Sequence, residues 1–128
     1  MTLLVTGLFS TVELIAQTTS TNSLYTNPQG TFTNVPTATI RLEAELTSLK
    51  TLMSTMNSGS QSFREHQGLY DYYNSILQHL QDAKTTDSAA TADAIAKGLI
   101  IFTTDVYDYF DTKVKAEFKQ NAINLLKL

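Results

Sequence analysis

The chain has 128 residues, 42% of them hydrophobic, with no cysteine, no tryptophan and a formal net charge of −3. That length implies one domain with a modest core. The missing cysteines exclude disulfides and thiolate metal sites, and the absence of any basic run leaves no footprint for direct nucleic-acid binding.

Charged residues make up only 16% of the chain, against about 25% in an average soluble domain. Neutral hydrogen-bonding groups fill the gap, and such a surface costs less to desolvate than a charged one. It suits a protein covered by neighbours. The charge is also segregated. Glu13 is the sole charged side chain among residues 1–40, and the other 20 follow from Arg41 onward. This divides the chain into an arm, 1–40, uncharged apart from Glu13, and a body, 41–128.

Within residues 2–16, Leu4, Leu8, Val12 and Ile15 fit a helical stripe, while the β-branched content and Gly7 fit an extended segment equally well. A capping-box match from Ser10 to Glu13 tips the reading toward a short helix after residue 10. LLVTGLF is too short to cross a membrane. LIAQ at 14–17 resembles a cleavage site, but no basic residue precedes the apolar stretch, so no signal peptide is expected.

From Gln17 to Thr39, 15 of 23 residues are Thr, Ser, Asn or Gln. Such a stretch lacks the apolar area to offset its own ordering entropy, so strand pairing or a neighbouring subunit is expected to hold it. NPQG at 27–30 is a good turn, with Asn, Pro and Gly at the positions that favour them. NSLYT before it and TFTNV after it are rich in β-formers, which predicts a small hairpin. Leu24, Tyr25, Phe32 and Val35 are its apolar anchors.

The body reads as helical. Pro36 and its threonine neighbours open a first helix. Leu42, Leu46, Leu49, Met53 and Met56 make its stripe, Arg41 and Glu45 form an i,i+4 pair, and Asn57-Ser58-Gly59 stops it. A capping box, Ser62 to Glu65, opens the second helix. Its stripe is Leu69, Tyr70, Tyr73, Ile76 or Leu77, and Leu80, with Gly68 marking a close helix contact. Lys84-Thr85-Thr86 ends it. A third helix begins near Asp87, keeps one face apolar from Ala92 to Leu125, and carries the pairs Asp93–Lys97 and Asp111–Lys115. It either runs about 40 residues, long for one domain, or breaks near Asp111-Thr112.

LYDYYN at 69–74 has a near copy in VYDYFD at 106–111. Placed on helices, Tyr70 and Tyr73 share one face, as do Tyr107 and Phe110, whereas Tyr72 and Tyr109 point elsewhere. Both helices therefore carry aromatics on two sides, which reads as core packing plus a tyrosine rim available to a partner. Asp71, Asp105, Asp108 and Asp111 can offer oxygen ligands to a divalent cation, but Lys113 and Lys115 stand beside them, and a solvated acidic face is the expectation. His66 and His79 lack a third ligand at metal spacing. No nucleophile elbow or phosphate loop is present. Neither an enzyme, a metal nor a cofactor is expected.

The expected fold is mainly α, a three- or four-helix bundle with an extended N-terminal arm that holds a hairpin. The expected role is structural: a homo-oligomeric subunit of a larger assembly, with partner contacts through Leu24, Tyr25, Phe32, Val35, Tyr72 and Tyr109, and with no membrane. The stretch Leu24-Tyr25-Thr26-Asn27-Pro28-Gln29-Gly30-Thr31 resembles an L-Y-T-x-P-x-G-T sequence in small structural proteins of tailed bacteriophages. There it opens a β-rich domain, a fold that does not carry over to a chain that turns helical within ten residues. The resemblance implies a virion component, such as a head–tail connector, neck or tail protein, assembled in the host cytoplasm beside copies of itself and other structural proteins. The alternative is a soluble cytoplasmic adaptor or regulatory module that binds other proteins through the same aromatic faces.

Overall fold

Asn34 opens the helical body. Its side chain accepts a hydrogen bond from the Thr37 amide at 3.0 Å, and Pro36 sits in the first turn, where a missing N–H costs nothing. In the computed structural model, which describes residues 24–128, the first helix, α1, runs Val35–Met53. It buries Ala38, Leu42, Leu46, Leu49 and Met53, the expected stripe with Ala38 added and Met56 left half-buried beyond the end. The boundary expected at residue 40 therefore falls inside α1, because Asn34 supplies the cap.

α2 (Gln61–Ala83) is capped by Ser60, whose hydroxyl accepts from the Phe63 amide at 3.0 Å. The expected cap, Ser62, is already inside the helix. α2 ends at Lys84, which takes the left-handed conformation at φ 54°. α3 (Ser88–Lys97) follows, then two 3-10 segments, Gly98–Thr103 and Asp105–Tyr107, and then α4 (Thr112–Leu126), capped by Asp111. The expected long third helix thus breaks twice, at Gly98 as well as at Asp111. Between those points the sequence is GLIIFTTDVYDYF, rich in β-branched and aromatic side chains that crowd a helix. Thr103 and Thr104 also turn their hydroxyls back onto the carbonyls of Ile100 and Ile101, at 2.7 and 2.8 Å, a local alternative to the α-helical ladder.

Among the described residues the fold is mainly α, with four α-helices around one core. α1 packs most extensively on α2, α2 also packs on α3 and the first 3-10 segment, and α4 closes against α3 and α1. Leu42, Tyr72, Ile76, Leu80, Ile95, Leu99 and Leu126 are fully buried between them.

No hairpin forms among the described residues. Phe32 instead makes an isolated antiparallel bridge with Lys127. The Thr33 amide donates to the Leu126 carbonyl and the Leu128 amide to the Thr31 carbonyl, both at 2.9 Å. The Arg41 guanidinium donates to the carbonyls of Leu125 and Lys127, at 3.1 and 3.2 Å, so it caps the C-terminus of α4 rather than pairing with Glu45. Thr91 donates its hydroxyl to the Thr33 carbonyl at 2.8 Å, the Val35 amide donates to Thr86 at 3.1 Å, and Lys119 donates to the Thr26 carbonyl at 2.8 Å. Gly30, at φ 117°, supplies the positive φ that turns the chain into this strap. The β-formers of TFTNV thus find their partner at the far end of the chain. The expected helix after residue 10 lies outside the described residues.

Of the expected ion pairs, Asp93–Lys97 is present at 2.9 Å. Asp111 instead accepts from the Val114 amide, and Lys115 donates to the Phe102 carbonyl at 3.3 Å.

Thr33 uses both its backbone groups, but its hydroxyl is buried without a hydrogen-bond partner. Thr33→Val keeps the shape and removes that uncompensated group, so it is expected to raise stability by about 1 kcal/mol. Thr91→Val, which orphans the Thr33 carbonyl, is expected to lower it by about 1–2 kcal/mol. Urea midpoints of the two variants check this pair, and a loss on Thr33→Val would contradict the strap geometry.

Candidate interaction surface

The two tyrosine stretches meet in space. Leu69–Asn74 lies mid-way along α2, and Val106–Asp111 covers the second 3-10 segment and the turn into α4. The Asp71 carboxylate accepts the Tyr107 hydroxyl with one oxygen and the Gln67 amide with the other, at 2.9 Å. Gly68 makes the approach possible. A Cβ there would overlap the ring of Phe110. Phe110 meets Phe102 and Phe118 edge-on, with ring centroids 6.0 and 5.3 Å apart, and Tyr107 meets Phe102 edge-on at 5.1 Å. Both distances and angles suit the ring quadrupoles. This aromatic knot pins residues 98–111 to α2.

The two stretches present themselves differently. Tyr72, expected at the rim, is buried outright and donates its hydroxyl to the Ile95 carbonyl at 2.8 Å. The reason is that α2 is covered on two sides, by α1 and by α3 with the first 3-10 segment, so both of its aromatic faces are enclosed. Tyr109, its counterpart, remains 51% exposed, with its ring 4.4 Å from that of Phe110. Ile100 and Val106 are 60% and 69% exposed on the same segment.

The other expected contact residues divide likewise. Leu24 and Phe32 belong to the chain's own core, and Val35 packs half-buried against it. They anchor the strap to the body and are not offered on the surface. Tyr25 is 41% exposed. It forms one wall of an open groove of about 620 Å³ whose lining, among the described residues, includes His79, Ala96, Lys97, Ile100 and Thr103. Sequence reasoning passed over Ala96, Ile100 and Gly98 as surface-shaping residues. Gly98 was the available signal, since a Cβ there would come 2.8 Å from Ile76 Cγ1 and the β-branched run begins beside it.

The candidate ligands for chemistry do not converge. Asp71 is engaged with Tyr107, Asp111 caps α4, and Asp105 and Asp108 face solvent. His66 hydrogen-bonds the Ser62 carbonyl at 2.7 Å, whereas His79 lines the groove. Among the described residues, no three carboxylates or imidazoles come together at a spacing that could hold a metal ion.

Three phenols are held neutral. Burial, with Tyr73 beside it, raises the Tyr72 pKa well above its ordinary value. Burial and then the Glu45 charge raise that of Tyr73, and burial followed by the hydrogen bond to Asp71 raises that of Tyr107. The folded state therefore keeps these protons where the unfolded chain releases them. Their contribution is fully present below pH about 10 and is lost as pH rises through the folded values. Alkaline titration of thermal stability should show a decline setting in near pH 10. Tyr107→Phe should cost about 1 kcal/mol at neutral pH and make that decline shallower.

Scans against protein-family models, curated proteins and solved structures each returned no match to this chain.

Proposed function

We propose that the chain acts by associating with other protein chains, as a structural subunit of a larger assembly, through the apolar side of residues 98–111. One observation carries this reading. Ile100, Val106 and Tyr109 stand out from a segment whose inner side, Phe102, Tyr107 and Phe110, is locked into the aromatic knot. Large apolar side chains on a pre-ordered platform lose little conformational freedom on docking, and each square ångström they bury returns about 25 cal/mol. Tyrosine adds an anchor with a hydroxyl for the rim. The low charge of the chain lowers the desolvation cost of covering it.

The setting supported by the resemblance of residues 24–31 is a tailed-bacteriophage particle, where the partners are copies of this chain and neighbouring structural proteins. Anchoring by Leu24 and Phe32 is not part of the proposal, because both side chains are consumed by the core. A second reading, a cytoplasmic adaptor that binds its partner transiently, is favoured by one observation. Residues 24–34 are tied down by their own body, so no assembly is needed to hold them. Among the described residues, no helix is long and apolar enough to cross a membrane.

Sedimentation across a concentration series tests the assembly reading. The chain is expected to self-associate, and Val106→Asp combined with Tyr109→Ser is expected to weaken the association at least tenfold, about 1.4 kcal/mol, without shifting the unfolding midpoint. A chain that stays monomeric at all concentrations would transfer the case to the adaptor.

A further inference from the structure

The outer face of α1 carries a pattern that neither the core nor the apolar side of 98–111 uses. We propose that it is a self-complementary surface, on which a second copy of this chain docks its own α1 antiparallel to the first.

The helical period places Ile40, Ala44, Thr47 and Thr51 in one stripe, opposite the buried one. All four residues are exposed, Ile40 at 67%. Their intervals of four, three and four are those of a heptad seam, with Ile40 and Thr47 at d and Ala44 and Thr51 at a. Three of the four are small, so two such helices can reach the short end of the usual interaxial range, about 8–10 Å. The Thr47 hydroxyl already donates to the Glu43 carbonyl at 3.1 Å, so covering it orphans no donor. At 19 residues, α1 is about 28 Å long and holds the whole seam.

Charge selects the partner and the direction. Glu43 and Lys50 are both exposed and flank the seam on the same side, one heptad apart. That spacing is about 10 Å along the axis, too far for a bond within one helix. Among the described residues, Asp93–Lys97 is the one ion pair, so Glu43 and Lys50 are uncommitted. An antiparallel twofold pair sets Ala44 against Thr47 of the second copy and Ile40 against Thr51, and symmetry repeats both layers. In that register Glu43 of each copy falls beside Lys50 of the other. On the opposite flank Arg41, held by the carbonyls that end α4, meets the neutral Ser48. Sliding the pair by one heptad opposes Glu43 to Glu43 in one direction and Lys50 to Lys50 in the other. A parallel pair puts Glu43 beside Ser48 and leaves Lys50 without a carboxylate. One helix is thus complementary to itself in one register, which is what a twofold interface between identical chains requires.

This surface is additional to the association through 98–111. α1 and the first 3-10 segment cover different sides of α2, so both surfaces can be occupied together. The α1 contact closes a dimer, and the second surface joins dimers into a larger assembly.

Sedimentation of the full-length chain carrying Val106→Asp and Tyr109→Ser reads the α1 contact by itself, and a dimer is expected. Adding Lys50→Glu faces each Glu43 with a glutamate and should weaken that dimer about tenfold, with the unfolding midpoint unchanged. Adding Glu43→Lys as well restores opposite charges and should bring the dimer back. Three results would overturn the proposal: a monomer in the Val106→Asp, Tyr109→Ser background, a dimer that Lys50→Glu leaves intact, or a loss that Glu43→Lys does not reverse. A wild-type chain that stops at this dimer would instead contradict the role of 98–111 and support the α1 contact, so the two readings can fail separately.

Discussion

The body is closed by one non-local contact, the strap of Thr31–Thr33 against Leu126–Leu128. It consists of two backbone hydrogen bonds at 2.9 Å, reinforced by Arg41 on the last carbonyls of α4 and by Thr91 on the Thr33 carbonyl. Each bond is worth only about 1 kcal/mol, but together they fix several things at once. They set the start of α1 beside the end of α4, direct Phe32 into the core, and satisfy backbone groups that would otherwise be buried without partners. Loop-closure entropy grows only slowly with length, so joining segments more than 90 residues apart is far less costly than the separation suggests.

The second constraint is the contact of Phe110 with Gly68. A helix that runs on past Lys97 would carry its aromatics away from α2. Instead Gly98 lets the backbone come against Ile76 and Tyr72, the β-branched run favours 3-10 turns, and Gly68 receives the Phe110 ring. Three phenylalanines and Tyr107 then lock together. This arrangement keeps Ile100, Val106 and Tyr109 outside. The exposed apolar side is thus a consequence of how the inner side packs, which links the core to the proposed association.

Much of the helical body could be read from local pattern. The stripe of α1 is spaced so that one face alone can be apolar, and Asp93–Lys97 needs only i,i+4 geometry. The break at Asp111-Thr112 rests on a capping side chain in the right place. What escaped depends on distant partners. Nothing near Phe32 announces Lys127, and the preference of TFTNV for extended backbone shows only that some strand is wanted. Tyr72 could not be oriented from the helical period, because that period shows two aromatic faces and tertiary packing covers both. The 3-10 stretch was legible in principle, from Gly98 and the β-branched run, but an unbroken apolar stripe from Ala92 to Leu125 argued for one helix. Of the candidate contact residues, Tyr25 and Tyr109 are exposed, while Leu24, Phe32 and Tyr72 are core, since any large apolar side chain on an arm reads as an anchor whether its partner is foreign or its own body.

On this view residues 31–33, held by Leu126 and Leu128, open only when the whole body unfolds. The Thr33 amide, measured by hydrogen exchange in a dilute monomeric sample, tests it most directly. If the strap is integral, Thr33 exchanges only with global opening, at the same free energy as the Ile76 and Leu80 amides. Exchange of Thr33 many-fold faster than those core amides would mean that the strap frays on its own, and the account of how this fold is closed would be wrong.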